Sequence, residues 1–339
     1  MKLDMTLHTQ ILREVPADAR AAETAGFAGL WSQETGADGL LPLVLAAEHT
    51  EKIDLGTAIA VAFPRSPMTM AYIAWDLAGM SKGRFILGLG TQVKGHNERR
   101  FSVKWDAPVP RLREYIESLR AIFKCWSEGG KQLSYQGKFY NFSLMTPFFT
   151  PPHHDWPNIP IYVAGVNKHI CRLAGELCDG FHAHPFHSAK YLREVVIPNI
   201  GIGLQKAGRR REDFNVFTSV FAAVGHNDEQ IHKARELIRS QVAFYGSTRS
   251  YQPVLDAHGW GDLCARLGEK AAKGKWDEMA SEITEDMLEV YCVSGTFDNI
   301  AARIKQRYEG LLDRFAFYFP YRPGTDDEQW ARIIKDFNG

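Results

Sequence analysis

The sequence predicts one α/β domain, a (β/α)8 TIM barrel with insertions. Short apolar runs alternate eight times with helical segments, and most of these runs end in polar residues. Parallel strands need helical crossovers, so this rhythm is typical of a parallel sheet. The length of 339 residues fits one barrel with insertions, because such barrels start near about 250 residues. A doubly wound open sheet with a second domain is the alternative.

The first half of the chain contains four strand-helix units. Pro16 and Gly26 bracket the first helix in the order that helix capping favours, and an apolar stripe marks the second helix. Strands are predicted over residues 3–7, 28–31, 53–61 and 85–87, and helices over residues 16–26, 42–52 and 68–80.

The second half resumes the rhythm after an interruption. Strands are predicted over residues 159–164, 179–183, 214–224 and 314–319, and helices over residues 111–126, 168–178, 191–207, 229–244, 297–308 and 328–337. Residues 133–140 indicate a hairpin that turns at Gln136 and Gly137. Insertions are expected at about residues 127–158 and 245–288, and the second of them is expected to be helical because it contains no strand-like run.

Composition excludes several classes of partner. The formal net charge is zero, which gives no electrostatic reason to expect nucleic acid or an anionic membrane. No apolar stretch of about 20 residues is present, and the N-terminus lacks a signal-peptide pattern. The five cysteines contain no C-x-x-C pair and predict reduced, mostly buried thiols. We therefore expect a cytoplasmic protein that acts on a small molecule.

The stretch over residues 82–92, KGRFILGLGTQ, is the strongest candidate for the centre of a site. Its apolar run is typical of a strand that is buried on both faces. Gly88 and Gly90 allow close approach to the backbone, and Thr91 and Gln92 supply the first polar groups. In barrels, functional groups lie at the carboxyl ends of the strands.

A second candidate feature follows the predicted strand over residues 159–164. Gly165, Val166 and Asn167 open a helix, and exposed amides at a helix start are suited to bind an anion such as phosphate. In barrels generally, the phosphate site more often follows the seventh and eighth strands. The G-L-G sequence at Gly88 to Gly90 does not match the G-x-G-x-x-G dinucleotide fingerprint.

Titratable residues at strand ends leave more than one interpretation open. Glu34 is either a buried acid that takes part in chemistry or a solvated loop carboxylate. His182, His184 and His187 suggest a metal site or single histidines that line a pocket, and a metal hydrolase would need further ligands that the other strand ends lack. We therefore expect no metal. No serine or cysteine nucleophile motif is present.

Several motifs together resemble the bacterial luciferase-like flavin and deazaflavin oxidoreductases. They are GTAIAVAFPRSP at residues 56–67, KGRFILGLGTQ at residues 82–92, IYVAG at residues 161–165, GFHAHP at residues 180–185 and SGTFD at residues 294–298. More narrowly, the chain is similar to the actinobacterial branch described as F420-dependent. The resemblance implies a (β/α)8 barrel with a redox cofactor across the carboxyl ends of its strands, and it suggests a homodimer.

The resemblance also implies positions for the cofactor. A non-proline cis peptide that supports the ring should lie at about Ala58 and Ile59, and the cofactor tail should be held by the two strand ends at Thr91, Gln92, Gly165, Val166 and Asn167. Deazaflavin dehydrogenases of the family carry histidine at the position of Glu34, and one sugar-phosphate branch has an acid at the position of Val93. Sugar-phosphate activity is therefore not carried over.

The predicted reaction is hydride transfer between coenzyme F420 and a small, largely apolar substrate, either an alcohol or ketone or an activated alkene. Glu34 or His184 is expected to exchange a proton with a substrate oxygen, and Gln92 to orient the ring or the substrate. Residues 245–288 are expected to cover the pocket. An FMN-dependent monooxygenase is the nearest alternative, and a non-catalytic flavin-binding partner subunit is an alternative from another class.

Overall fold

The computed structural model describes residues 1–9 and 11–339, and it forms the predicted closed barrel. In this part of the chain the strands, in order, are β1 (Lys2–Thr6), β2 (Gly29–Ser32), β3 (Asp54–Thr57), β4 (Ala60–Val61), β5 (Phe85–Gly90), β6 (Tyr135–Gln136), β7 (Asn141–Phe142), β8 (Ile161–Gly165), β9 (Gly180–Ala183), β10 (Asn215–Val220), β11 (Ala222–Gly225), β12 (Val293–Thr296) and β13 (Arg314–Phe317).

Parallel pairing closes these strands into a ring. The order is β3-β2-β1-β13-β10-β9-β8-β5-β4, and a further pairing between β3 and β5 completes the barrel. Because β4 continues β3, the wall has eight positions, as the sequence predicts. The pair β6 and β7 is an antiparallel hairpin, and β11 with β12 is a separate parallel pair. All eight carboxyl ends therefore open at the same mouth.

Helices pack around the wall. Those of the described residues are α1 (Val15–Ala25), α2 (Leu41–Glu48), α3 (Pro67–Met80), α4 (Lys94–Arg99), α5 (Pro108–Ser127), α6 (Lys168–Leu177), α7 (Ala189–Tyr191), α8 (Ile197–Lys206), α9 (Asp228–Gly246), α10 (Gln252–Asp256), α11 (Gly261–Ala272), α12 (Trp276–Ala280), α13 (Glu285–Tyr291), α14 (Ile300–Tyr308) and α15 (Asp327–Asn338). None of them combines the length and apolar character needed to cross a bilayer.

Some predicted elements are divided in the structure. The single strand expected over residues 53–61 is β3 and β4, and the strand expected over residues 214–224 is β10 and β11. The second division occurs because β11 leaves the wall and pairs with β12, a strand that the sequence did not predict. The hairpin turns over residues 137–140, between β6 and β7, so Gly137 lies in the turn but Gln136 is still paired in β6. The helix expected over residues 191–207 contains a π-helical turn at Leu192–Val196.

Large aromatic side chains fill the interior of the barrel. Trp31, Tyr162 and Phe217 form a buried cluster with Ile86 and Ala316, and Ala58 packs against it. The ring centroids of Trp31 and Phe217 lie 4.9 Å apart. The interior is therefore packed rather than hollow, and a ligand has access only at its mouth.

Candidate functional site at the barrel mouth

The strand β5 runs to the mouth of the barrel. All six of its residues are buried, and it ends at Gly90 between β4 and β8. Gln92 follows with a positive φ of 58°, and its side-chain oxygen accepts a hydrogen bond from the Val93 amide at 2.9 Å. Asn97 donates to the carbonyls of Thr91 and Val93 at 2.8 and 3.1 Å, so this loop is held from within. The sequence did not point to Asn97.

The wall is interrupted beside β5, where β3 gives way to β4. Leu55 and Gly56 pair with β5, and pairing resumes only at Ala60 and Val61. The peptide between Ala58 and Ile59 is cis, at the position that the family resemblance implies. Both residues are half-buried, so they present a small, partly open surface at the mouth.

A side chain bridges this interruption. The Thr57 hydroxyl donates to the Gly88 carbonyl at 2.7 Å and accepts from the Gly88 amide at 2.9 Å. A single hydroxyl thus takes the place of the missing backbone ladder between the two strands. We refer to the segment from Thr57 to Val61 as the bulge.

Glu34 lies against the other side of the bulge. Its carboxylate accepts a hydrogen bond from the Val61 amide at 2.8 Å and forms an ion pair with Arg65, also at 2.8 Å. Arg65 also binds Asp38 at 2.6 Å. Burial alone would lower the pKa of Arg65. The charge of Glu34 and the hydrogen bonds to Glu34 and Asp38 outweigh burial and raise this pKa, so the guanidinium stays charged. The sequence did not single out Arg65 or Asp38.

The loop after β8 leads into the helix α6. Asn167 is the N-cap of α6, and its side chain makes no capping hydrogen bond to this helix. The Asn167 side-chain Nδ2 instead donates to the Ser250 carbonyl at 3.5 Å, in the segment before α10. The neighbouring Lys168 and His169 are exposed. The first turn of α6 therefore has no side-chain cap for its amides, and anion binding by Gly165, Val166 and Asn167 stays a prediction.

Aromatic side chains surround His184, just beyond the end of β9. Its ring lies 4.2 Å from that of Tyr251 and 4.8 Å from that of Tyr245, and its Nδ1 accepts from the Phe186 amide at 3.1 Å. Burial lowers the pKa of His184 to about 3, so the imidazole is neutral at physiological pH. The Tyr245 and Tyr318 hydroxyls lie 2.8 Å apart beside it. This part of the mouth is largely apolar, with a few hydroxyl groups.

His182 lies deeper, inside the barrel. Its ring contacts Trp31 and Phe217 at centroid distances of 5.0 and 4.9 Å, and both of its nitrogens are buried without a hydrogen-bond partner. Burial lowers its pKa to about 3. His187 instead reaches the Tyr308 hydroxyl at 3.1 Å, so the three histidines do not converge. Across residues 1–9 and 11–339, no group of three or more histidine, cysteine or acidic side chains is arranged to hold a metal ion.

The structure brings together residues that the sequence could only place on separate strand ends. Ala58 and Ile59 directly precede β4, where the Ile59 side chain lies beside Gly90, and Thr91 and Gln92 directly follow β5. Gly165 ends the next strand of the wall, β8, and Val166 and Asn167 follow it. His184 follows the strand after that, β9. Glu34 flanks the bulge from β2. The five cysteines are buried free thiols, and none of them lies at these strand ends.

The closed (β/α)8 architecture makes this protein a TIM barrel, a class of fold whose functional sites lie at the carboxyl ends of the strands. The chain belongs to the luciferase-like monooxygenase family, whose model matches residues 1–314.

Related protein sequences align with most of the chain. An uncharacterised protein of Mycobacterium tuberculosis is 44% identical over 314 residues, which cover 93% of this chain and 92% of that protein. A 5,10-methylenetetrahydromethanopterin reductase of Archaeoglobus fulgidus is 29% identical, with 85% and 83% covered. An F420-dependent glucose-6-phosphate dehydrogenase of Microbacterium testaceum is 28% identical, with 89% and 83% covered.

Solved structures share the fold. The coenzyme F420-dependent tetrahydromethanopterin reductase of Methanopyrus kandleri superposes with a TM-score of 0.78 at 21% identity, covering 99% of this chain and 97% of that one. The oxygenating component of 3,6-diketocamphane monooxygenase from Pseudomonas putida, in complex with FMN, gives 0.68 at 16% identity, covering 100% and 98%. Relatives and neighbours therefore include both F420-dependent reductases and an FMN-dependent monooxygenase.

Proposed function

We propose that this protein is an oxidoreductase that transfers a hydride between coenzyme F420 and a small organic substrate, either an alcohol or ketone or an activated alkene. The observation that carries the proposal is the mouth itself, where the bulge faces the end of β5 and uncapped amides of α6 follow on the next strand. Relatives at 28–29% identity that include a named F420-dependent dehydrogenase support the choice of cofactor.

The chain's own groups fit such a cofactor. A flat ring needs small neighbours, and the half-buried Ala58 supplies one at the bulge, whereas the space beside Gly88 and Gly90 is filled by the Thr57 carbonyl and the Ile59 side chain. The tail of F420 carries a phosphate, and the free amides at the start of α6 are suited to bind it. The unpaired nitrogens of His182 leave a polar group at the base of the mouth without a partner. When bound, F420 supplies two-electron hydride exchange at C5 of its ring.

The protein would then position the reactants and exclude water. Tyr245 and Tyr251 pack against His184, and Tyr318 packs behind Tyr245, so this wall is largely apolar and favours an apolar substrate with one polar group. The Tyr318 hydroxyl donates to the Gln241 side-chain oxygen at 3.1 Å, so the Tyr245 hydroxyl donates to Tyr318, and the pair is suited to accept a hydrogen bond from a substrate alcohol. Proton exchange by His184 or Glu34 and ring orientation by Gln92 stay predictions.

A pair of fluorescence titrations tests the cofactor. We expect the purified protein to bind oxidised F420 tightly and saturably, and to bind FMN at least about 10-fold more weakly. The charged tail of F420 continues beyond its phosphate, whereas FMN ends at its phosphate, so F420 can make additional contacts with the protein. The reverse preference would contradict the proposal and favour a monooxygenase that uses reduced FMN and oxygen. Binding of neither would favour a non-catalytic subunit.

A charge placed at the start of α6 tests the phosphate site. Asn167→Asp adds a carboxylate at the N-cap, where a negative charge stabilises a helix but repels a phosphate. We expect an unchanged or slightly higher melting temperature and a Kd for F420 that is about 10-fold higher. The neutral variant Asn167→Ser is the matched control and should keep Kd within about 3-fold. Equal Kd values for both variants would remove α6 from the binding site.

A further inference from the structure

Glu34 uses both of its carboxylate oxygens within the protein. Its side chain is only 6% exposed, and Arg65 Nη1 lies 3.0 Å from Oε1 and 2.8 Å from Oε2. Oε2 also accepts the Val61 amide hydrogen at 2.8 Å. A substrate oxygen that approached this carboxylate would have to compete with a guanidinium for it.

The bond to Val61 replaces backbone pairing. The β4 ladder to β5 uses the Ala62 amide, which donates to the Gly90 carbonyl at 3.0 Å, so Val61 directs its own amide to the opposite side. The neighbouring strand β2 has already ended there, and its last ladder bond runs from the Ala58 amide to the Ser32 carbonyl at 2.7 Å. Without Glu34, the Val61 amide would lose its acceptor in a buried part of the wall.

Arg65 belongs to the same hydrogen-bond network and binds the carbonyl of Val61. Its Nη1 also donates to the Val61 carbonyl at 3.2 Å. The ion pair of Glu34 and Arg65 therefore binds both the amide and the carbonyl of Val61. Asp38 holds the other terminal nitrogen of Arg65 at 2.6 Å. Arg65 is itself only 18% exposed, which limits the screening of these charges by water.

We infer that Glu34, together with Arg65, is a positioning residue that fixes Val61 and thereby sets the surface that Ala58 and Ile59 present to the cofactor ring. This inference rests on the proposed function, because it assigns the bulge to a bound ring. It assigns Glu34 to the shape of the ring site and not to proton exchange. Thr57 holds the start of the bulge through Gly88, and Glu34 holds its end.

Variants of Glu34 and Arg65 separate the two roles. Glu34→Gln keeps a side-chain oxygen for the Val61 amide but loses the ion pair, whereas Glu34→Ala loses both. We expect the Kd for F420 to rise about 10-fold in Glu34→Ala and in Arg65→Met, and only about 3-fold in Glu34→Gln. Glu48→Gln, an acid-to-amide change at an exposed position of α2, is the control and should leave Kd unchanged.

Hydrogen exchange of the Val61 amide gives a measurement that needs no cofactor. In the cofactor-free protein it should become about 10-fold faster in Glu34→Ala and stay within about 3-fold of wild type in Glu34→Gln. A role in proton exchange predicts a different result: Glu34→Gln would lower turnover by about 100-fold with unchanged Kd. That result, or unchanged Val61 exchange in Glu34→Ala, would overturn the inference.

The failure of the proposed function can be told apart from the failure of this inference. If the wild-type protein binds neither F420 nor FMN, the proposed function is overturned, and with it the assignment of the bulge to a cofactor ring. The exchange rate of Val61 would still decide whether Glu34 and Arg65 fix this segment. A melting temperature for each variant shows whether a change in Kd reflects global unfolding.

Discussion

Replacing Arg314 with leucine should lower the free energy of unfolding by about 3–5 kcal/mol, because it leaves a buried carboxylate without its partner. Arg314 is 6% exposed and donates to both oxygens of Asp4 at 2.8 and 2.9 Å, while Asp4 itself is fully buried. Its remaining terminal nitrogen binds Asp54 at 2.6 Å. Urea denaturation monitored by tryptophan fluorescence measures the loss.

The electrostatics explain why the loss should be large. Although burial alone would lower the pKa of Arg314, the charges of Asp4 and Asp54 raise it, so the guanidinium is charged throughout the accessible pH range. The same carboxylate of Asp4 accepts the Trp31 indole N–H at 2.8 Å. The network therefore joins β1, β2, β3 and β13 at the end of the barrel away from the mouth.

Two controls bracket this prediction. Arg332→Leu removes an arginine whose ion pair with Asp298 is exposed, and it should cost less than about 1 kcal/mol. The double variant Asp4→Asn with Arg314→Met removes both buried charges and keeps an acceptor for Trp31, so it should recover a large part of the lost stability. A double variant as unstable as Arg314→Leu alone would show that packing, and not an unpaired charge, causes the loss.

The barrel could be predicted from the sequence because its signal is local and repeated. Each buried wall strand is a short apolar run bounded by turn residues, and the amphipathic stripe of a helix such as α5 follows from spacing alone. The sequence pattern predicts one strand in place of β3 and β4, and one strand in place of β10 and β11. An apolar run continues across an interruption of the pairing with β5 in the first case and across a change of partner strand in the second, and composition records neither.

The site was predictable only in part, for a related reason. Strand-end positions could be assigned to the mouth because all parallel strands end on one side, which placed Glu34, Gln92 and His184 there. The groups that hold these residues come from other elements: Arg65 follows β4, Tyr251 precedes α10, and Asn97 in α4 binds the backbone on either side of Gln92. Only the folded arrangement shows that Arg65 and Val61 engage the Glu34 carboxylate and that Tyr251 stacks on His184.

Replacing Gly88 with alanine should have the largest effect on the site. A Cβ at this position would lie 1.8 Å from the Thr57 carbonyl oxygen and 2.8 Å from His182 Nε2. The first contact is with backbone, so no side-chain rotation relieves it, and β3 and β5 must move apart. That movement would break the two bonds of the Thr57 hydroxyl to Gly88 that hold the start of the bulge.

We therefore expect Gly88→Ala to raise the Kd for F420 by at least about 100-fold, because a shift of about 1 Å in a positioning segment is enough to misalign a bound ring. The clash should also lower the free energy of unfolding by about 1–3 kcal/mol.

Gly201→Ala is the matched control. Gly201 is exposed within α8, and a Cβ there would have no neighbour within 4 Å, so the change should leave Kd unaltered and stabilise the helix slightly. If Gly88→Ala bound F420 as tightly as the control, the ring would not depend on the contact between Thr57 and Gly88, and the ring site would have to lie away from the bulge. A loss of affinity in Gly88→Ala alone would instead show that cofactor binding depends on the close packing of Gly88 against Thr57 and on the hydrogen bonds of the Thr57 hydroxyl.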